Sequence, residues 1–242
     1  MVARGNAPTM GRAYQVHQGT TGPGGEFEGR SDLSPYHLGM PPRSPARFLS
    51  RAIGSILVVV LLAGCAGANF DPSGPCSTDG RAPGAYPELE ADVPTTFRGR
   101  APDRLDSGRN CTPRALATLV AHGVTALQFA GATWDLGSSS GVTVAVFEAP
   151  ELDAAWMAEF YEVGARAAKN TAAVEMRTVA IPDGRQGSRI DALNRESYQS
   201  VVVWSDGEHV RVALIASFIR EVETKAAHDA VVDEALGAAI VR

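Results

Sequence analysis

The sequence predicts an α+β domain in which an antiparallel or mixed sheet carries helices packed mainly on one face. Three observations support this fold class. Strand-like apolar runs outnumber helical segments, they lie close enough in sequence to pair with their neighbours, and two of them flank Ser205–Glu208, a short polar turn typical of a β-hairpin. Locally paired strands with helices outside the pairs favour α+β architecture over alternating parallel units.

The first predicted elements are helical. Tyr86–Val93 has the pattern of one or two helical turns and is followed by a proline. The next helix is well delimited, because Thr112 suits the N-cap, Pro113 the first helical position and Gly123 the position after the last turn. We therefore expect a helix between Thr112 and Gly123.

Two strands and a long helix are predicted next. The strands are Thr125–Asp135 and Val142–Glu148, with Leu136–Gly141 between them. The second strand is largely apolar on both alternating faces, which is typical of a central strand. Leu152–Lys169 has the clearest helical periodicity of the chain. The predicted apolar, core-facing stripe of this helix consists of Leu152, Trp156, Phe160, Val163 and Ala167.

The carboxyl-terminal part of the chain is predicted to complete the sheet. Glu175–Ile181 is a strand, and Ser188–Ala192 pairs back on it after a turn. Tyr198–Trp204 and His209–Phe218 form the hairpin around the polar turn. An amphipathic helix over Glu221–Ile240 closes the domain.

A short apolar run follows basic residues near the amino terminus. Arg43, Arg47 and Arg51 precede the run Ile53–Leu62, which ends in Leu-Ala-Gly and then Cys65. The run is shorter than the roughly 20 residues of a membrane-spanning helix, and its length suits the apolar region of an export signal. The segment resembles the signal peptide and lipobox of a bacterial lipoprotein.

The resemblance implies that Cys65 receives a diacylglycerol, with palmitate among its acyl chains, and becomes the first residue of the mature chain. The signal peptide is then residues 40–64, with translation starting at Met40. Residues 1–39 are rich in Gly, Pro, Ser and Thr, and we expect them to be disordered or outside the natural reading frame start. The alternatives are an uncleaved short anchor or an apolar segment of a cytosolic domain.

The remaining sequence is predicted to be a tether, residues 65–85, and a single domain, residues 86–242. The tether is suggested by many Gly, Pro, Ser and Asp residues. Residues 65–242 hold 24 Asp and Glu against 16 Lys and Arg, a formal net charge of −8. This charge disfavours nucleic-acid partners, because phosphates require basic side chains. The resemblance places the domain outside the cytoplasm, on a lipid anchor in the inner or the outer membrane.

Two cysteines remain if Cys65 is lipidated. In an exported chain, Cys76 and Cys111 are expected to form a disulfide that closes a loop of 36 residues. A catalytic thiol or a metal-binding pair is the alternative. The pair has no histidine or acidic cluster at ligand spacing nearby, so the disulfide is favoured.

Four side chains form a candidate binding face. Trp134 and Trp204 lie near predicted strand ends beside turns, where an exposed pair of indoles would favour ligand or partner binding. Arg98 and Arg100 belong to a basic segment of an acidic domain and suit an anionic partner. The alternatives are core positions for the tryptophans and a solvated loop with local ion pairs for the arginines.

Residues with catalytic potential form no recognisable motif. Gly137–Gly141 matches G-x-S-x-G, but a strand follows it instead of the helix that a nucleophile elbow requires, so a hairpin loop is favoured. The histidines of the domain, His122, His209 and His228, lack partners at metal-ligand spacing. We therefore predict no catalytic residue, metal or cofactor.

These observations favour a non-enzymatic lipoprotein domain that binds a protein partner, a small ligand or a cell-envelope component. An envelope-associated hydrolase is the first alternative, and a cleft joining Asp or Glu with His or Ser would support it. A structural component of a membrane complex is the second, and a large exposed apolar patch would support it.

Overall fold

The computed structural model describes residues 70–222 and 224–240, which belong to one compact unit. The predicted extension over residues 1–39, the signal peptide and the lipidation site Cys65 lie outside the described residues. In the described ranges, no helix has the length and apolar character needed to cross a bilayer.

The architecture is dominated by one antiparallel sheet of eight strands in the order β1-β2-β3-β4-β8-β7-β6-β5. Every neighbouring pair is antiparallel, so the antiparallel form of the predicted sheet is confirmed. The strands are β1 Gly80–Ala82, β2 Arg104–Asn110, β3 Leu127–Gly137, β4 Ser140–Glu148, β5 Thr171–Ala180, β6 Gln186–Asn194, β7 Ser197–Ser205 and β8 Val210–Phe218.

Short helices interrupt the sheet order and two longer ones cover it. The α-helices are α1 Pro87–Ala91, α2 Pro113–Leu116, α3 Ala154–Ala167, α4 Ile219–Val222 and α5 Lys225–Ile240, and a 3₁₀ helix spans Ala117–His122. Thr112 caps α2 as predicted, since its hydroxyl accepts a hydrogen bond from the Ala115 amide at 3.2 Å. The predicted single helix is nevertheless divided, because Ala117 has a φ of 46°.

The prediction that helices lie mainly on one face is wrong, because α3 and α5 pack on opposite faces. Val202 and Trp204 of β7 belong to a core cluster with α5, whereas Val201 and Val203 pack with α3. Successive residues of a strand point to opposite sides of the sheet, so the two clusters are separated by it. Central strands that are apolar on both faces require such a cover on each side.

Helix α3 also presents a different face to the core from the one predicted. Its buried residues are Met157, Ala158, Tyr161 and Gly164. In the predicted stripe, Val163 is 46 % exposed, and Trp156 and Phe160 are only partly buried. The helix has two adjacent apolar sides, and helical spacing alone does not decide which of them meets the sheet.

The G-x-S-x-G segment is a hairpin turn, as favoured from sequence. Ser138 and Ser139 connect β3 and β4 and both have positive φ, 43° and 66°. A two-residue turn with this backbone matches the twist of the paired strands. The predicted six-residue connection is therefore shorter, and both strands extend further than expected.

Residues 70–82 pack on the sheet, which corrects the predicted flexible tether over residues 65–85. Strand β1 pairs with β2. The Arg109 guanidinium donates to the carbonyl oxygens of Asp71, Pro72 and Pro75 at 2.9–3.1 Å. A buried arginine that satisfies three backbone acceptors holds this segment in one conformation. The basic segment predicted as a solvated loop includes β2.

The predicted disulfide between Cys76 and Cys111 is present, with 5.3 Å between the two Cα atoms. Asp79 reinforces the connection, since its carboxylate accepts from the amides of Cys111 and Thr112 at 2.7 and 2.9 Å. The amino-terminal segment is thereby joined to the end of β2 and the start of α2.

Candidate functional site

The largest concentration of polar side chains in the described core lies where α5 crosses strands β6, β7 and β8. The residues are mostly buried, although serine, histidine and charged side chains are unusual inside a domain. We call this group the His228 cluster. It consists of Arg189, Asp191, Ser200, Ser217, His228 and Asp229.

Strand register brings the cluster together. Asp191 of β6 pairs with Ser200 of β7, and Ser200 pairs with Ile215 of β8. Paired residues share a face of the sheet, and residues two positions away along a strand share it as well. Arg189 and Ser217 therefore lie on the same face, under the first turns of α5.

The Ser200 hydroxyl is at the centre of the cluster. Its proton is donated to Asp191 Oδ1, and its oxygen accepts from Arg189 Nη2 at 3.1 Å. His228 Nε2 lies 2.8 Å from the same oxygen, and since a hydroxyl has one proton, Nε2 must be the donor. His228 Nδ1 then accepts from the Ser217 hydroxyl at 2.8 Å. The imidazole is neutral and has a fixed tautomer.

Arg189 holds the negative charges of the cluster. Its Nε lies 2.7 Å from Asp191 Oδ1, its Nη2 contacts Asp229, and its side chain is 6 % exposed. Burial by itself raises the pKa of Asp191, but hydrogen bonds from Ser200 and Arg189 and the charge of Arg189 outweigh it and lower the pKa. Both carboxylates are ionised at neutral pH, and a buried cation compensates them.

His228 is held in its neutral form by its surroundings. Burial in the core and the nearby charge of Arg189 lower its pKa to about 4, while Asp229 and Asp191 oppose the shift. Lys225, which contacts Asp229 at 2.9 Å, adds to the lowering. The imidazole therefore serves as a neutral hydrogen-bonding link at physiological pH.

Acidification from pH 6.5 to 4 is expected to reduce the free energy of unfolding by up to about 3 kcal/mol through His228. The unfolded chain takes up the proton near the ordinary pKa, whereas the folded protein does so only near pH 4, so stability falls as pH falls through this window. Urea unfolding at a series of pH values measures the effect, and an NMR titration of the imidazole locates the folded pKa.

The control for this prediction is a second histidine. His122→Gln removes an imidazole whose side chain is 27 % exposed, and it should retain the pH dependence, whereas His228→Gln should flatten it. An imidazole titration of His228 near pH 6.5 in the folded protein would contradict the prediction.

The cluster combines serine, histidine and aspartate, yet its order differs from a catalytic triad. In a triad the histidine accepts the serine proton and a carboxylate orients the histidine. Here Ser200 donates to Asp191, and the second nitrogen of His228 contacts Ser217. Ser200 is fully buried, so a substrate has no path to its oxygen. The geometry is that of a structural network that fastens α5 to the sheet.

A cavity of about 290 Å³ lies on the same face at the other end of α5. Its polar groups are already engaged in local structure. Asp206 accepts from the amides of Glu208 and His209 and from Arg211, and Arg211 donates to the Asp92 carbonyl at 2.7 Å. These contacts outweigh the effect of burial and lower the pKa of Asp206 to about 2. The cavity is lined by Asp183, Arg185, Trp204, Asp206, Arg211, Ala239 and Ile240.

The predicted binding face is not assembled as an exposed surface. Trp134 and Trp204 are 1 % and 0 % exposed, because the Phe97 ring packs on the first and α5 covers the second. Arg98 pairs with Glu234 of α5 at 2.6 Å, and Arg100 pairs with a nearby aspartate. Only the two arginines reach solvent.

Trp156 is the tryptophan that reaches the surface, although its place in the helical stripe predicted a core position. Its ring stacks on His122 with 4.7 Å between centroids and 10° between the planes. His122 Nε2 lies 2.8 Å from Glu159 Oε2, which fixes the imidazole over the indole. A helical stripe therefore marked an interface between α3 and the 3₁₀ helix that remains open to solvent.

Metal-ligating groups are dispersed over the described residues, where no three His, Cys, Asp or Glu side chains lie close enough to hold an ion. In comparisons with known proteins, no family model, curated protein or solved structure matches the chain.

Proposed function

We propose that the chain is a lipid-anchored, extracytoplasmic domain that acts by binding a partner at the membrane surface. The observation that carries the proposal is the division of the three cysteines. Cys76 and Cys111 form the disulfide, which leaves Cys65 as the remaining thiol, directly after the lipobox sequence. A disulfide in the domain is in keeping with export from the reducing cytoplasm.

The His228 cluster supports binding over hydrolysis. A nucleophilic serine needs a base that accepts its proton and a route for the substrate. The hydroxyl of Ser200 has neither, because its proton lies on the side of an ionised carboxylate and the residue is fully buried. Turnover in a hydrolase screen that is lost on Ser200→Ala, in a variant that still folds, would overturn this part of the proposal.

Cys65→Ala is expected to abolish membrane anchoring. The protein extracted from its native membrane should have the mass of residues 65–242 plus lipid, and reduction should add two hydrogens. The alanine variant has no thiol to acylate at this position, so we expect it in the soluble fraction without lipid. Intact-mass spectrometry of both fractions is the measurement.

The matched control is the double variant Cys76→Ala/Cys111→Ala, which removes two cysteines but keeps Cys65. It should retain the lipid mass and remain in the membrane fraction. An unlipidated protein that begins before Cys65 and contains free thiols would refute the proposed anchor.

A further inference from the structure

The outer side of α3 and the 3₁₀ helix forms an apolar surface on the domain. Trp156, Phe160 and Val163 follow one another at helical spacing along α3, and Val120 lies on the adjoining 3₁₀ helix. Val120 and Val163 are 45 % and 46 % exposed. Together with His122, which stacks on Trp156, these five residues are called the α3 apolar surface.

The charge on this surface is small. The His122 side chain is paired with Glu159, so the one carboxylate beside the indole has a partner. The ion pair between Glu162 and Arg166 lies on another flank of α3, away from Trp156 and Val163 in helical projection. An aromatic ring with apolar neighbours and a polar rim is the composition that favours a membrane–water interface.

The surface lies at the end of the sheet where the amino-terminal segment is fastened. Asn110, the last residue of β2, pairs with Leu127, the first residue of β3, and the neighbouring Gln128 pairs with Glu148, the last residue of β4. Helix α3 starts shortly after Glu148, with Trp156 in its first turn. The disulfide to Cys111 brings the segment that follows the lipobox to the same sheet end.

The connection between the proposed anchor and the described domain is short. Residues 66–69 separate Cys65 from Phe70, so even a fully extended chain spans no more than about 18 Å between these two residues. Phe70 is held against the sheet, since its ring lies 5.4 Å from the Arg109 guanidinium carbon and 6.5 Å from the Tyr86 ring. A lipid at Cys65 therefore keeps this sheet end close to the bilayer.

We propose that the α3 apolar surface rests on the lipid bilayer, with the indole of Trp156 at the level of the headgroups. This inference depends on the proposed anchor at Cys65. Burial of the two valines and of the rings of Trp156 and Phe160 in the interface removes apolar area from water, and the short connection makes the contact intramolecular. The bilayer then orients the domain, and α5 and the cavity point away from it.

The test uses the lipidated protein reconstituted in phosphatidylcholine vesicles with brominated acyl chains, which quench nearby tryptophans. Trp134 and Trp204 are buried, so the difference between the protein and Trp156→Phe reports Trp156. We expect strong quenching of this component. Val120→Glu and Val163→Glu, both at exposed positions, should reduce it several-fold while the protein stays on the vesicles, and circular dichroism verifies their folding.

Met176→Glu is the matched control, because Met176 is 48 % exposed and lies on the edge strand β5, far across the sheet from β2. It should leave the quenching unchanged. A lipidated, vesicle-bound protein whose Trp156 is not quenched would overturn the inference and leave the anchor intact. Protection of Trp156 from acrylamide without lipid quenching would assign the surface to a protein and overturn it as well. A protein without lipid at Cys65, seen by mass, would instead refute the proposed anchor.

Discussion

Arg189→Met is expected to lower the free energy of unfolding by about 3–5 kcal/mol. Arg189 is almost fully buried and donates to Asp191, Ser200 and Asp229. Methionine fills a similar volume but donates no hydrogen bond. The two carboxylates would then repel each other without a cation, and Ser200 would lose a donor in a dry site. Removing one member of a buried ion pair is costly because the charge that remains is uncompensated.

Arg177→Met is the matched control. Arg177 reaches the same carboxylate, with Nη2 3.4 Å from Asp191 Oδ2, but its side chain is 51 % exposed. We expect a change of less than about 1 kcal/mol, as for other exposed ion pairs. Urea unfolding monitored by circular dichroism compares the two variants. Equal losses would show that burial does not determine the contribution of Arg189, which is the opposite of our explanation.

Arg189→Lys tests the geometry of the contact separately from its charge. A lysine keeps the cation but not the planar fork that reaches Asp191, Ser200 and Asp229 together. We therefore expect a loss of stability between those of the two methionine variants. Such an order would place the contribution of Arg189 in its directed hydrogen bonds as well as in its charge.

The sheet was predictable because its strands have a strong local signal. Val142–Glu148 and Tyr198–Trp204 are apolar on alternate positions of both faces, and the turn at Ser205–Glu208 separates two such runs. The same observation also implied that both faces need covering. Placing the helices mainly on one face followed from the order of elements along the chain, which does not determine the side on which each helix crosses.

The exposure of the tryptophans could not be predicted from their neighbours in sequence. Trp134 and Trp204 are close to turns, yet Phe97 and α5 bury them from distant parts of the chain. Trp156 has helical spacing with Phe160 and Val163, and this pattern is the same for a buried side of a helix and for a surface that contacts a bilayer. Burial depends on tertiary contacts, and a single helix carries no information about them.

The His228 cluster left little trace in the sequence. Ser200 and Ser217 are common residues at strand positions, and His228 stands alone in its helix. The pairing register of β6, β7 and β8 brings these side chains together. The available signal was the position of Arg189 and Ser200 on strands next to apolar residues, where an inward-facing polar side chain requires a partner.

Removal of the disulfide by Cys76→Ala/Cys111→Ala is expected to lower the free energy of unfolding by about 3–4 kcal/mol, since the bridge closes a loop of 36 residues that the unfolded chain would otherwise leave open. Urea unfolding measures the loss, and reduction of the unchanged protein should reproduce it. A variant as stable as the parent would contradict the chain-entropy explanation.

The same variant separates global stability from local order at the sheet edge. Strand β1 has three residues and one neighbour, so its position depends on the bridge, on Arg109 and on Asp79. We expect amide hydrogen exchange of Gly80–Ala82 to accelerate more than that of the central strands β4 and β8, which keep both neighbours. Since the proposed anchor connects to the sheet only through this segment, its loosening would lengthen the effective tether. Quenching of Trp156 by brominated lipid should then weaken in this variant, although no residue of the α3 apolar surface has been changed.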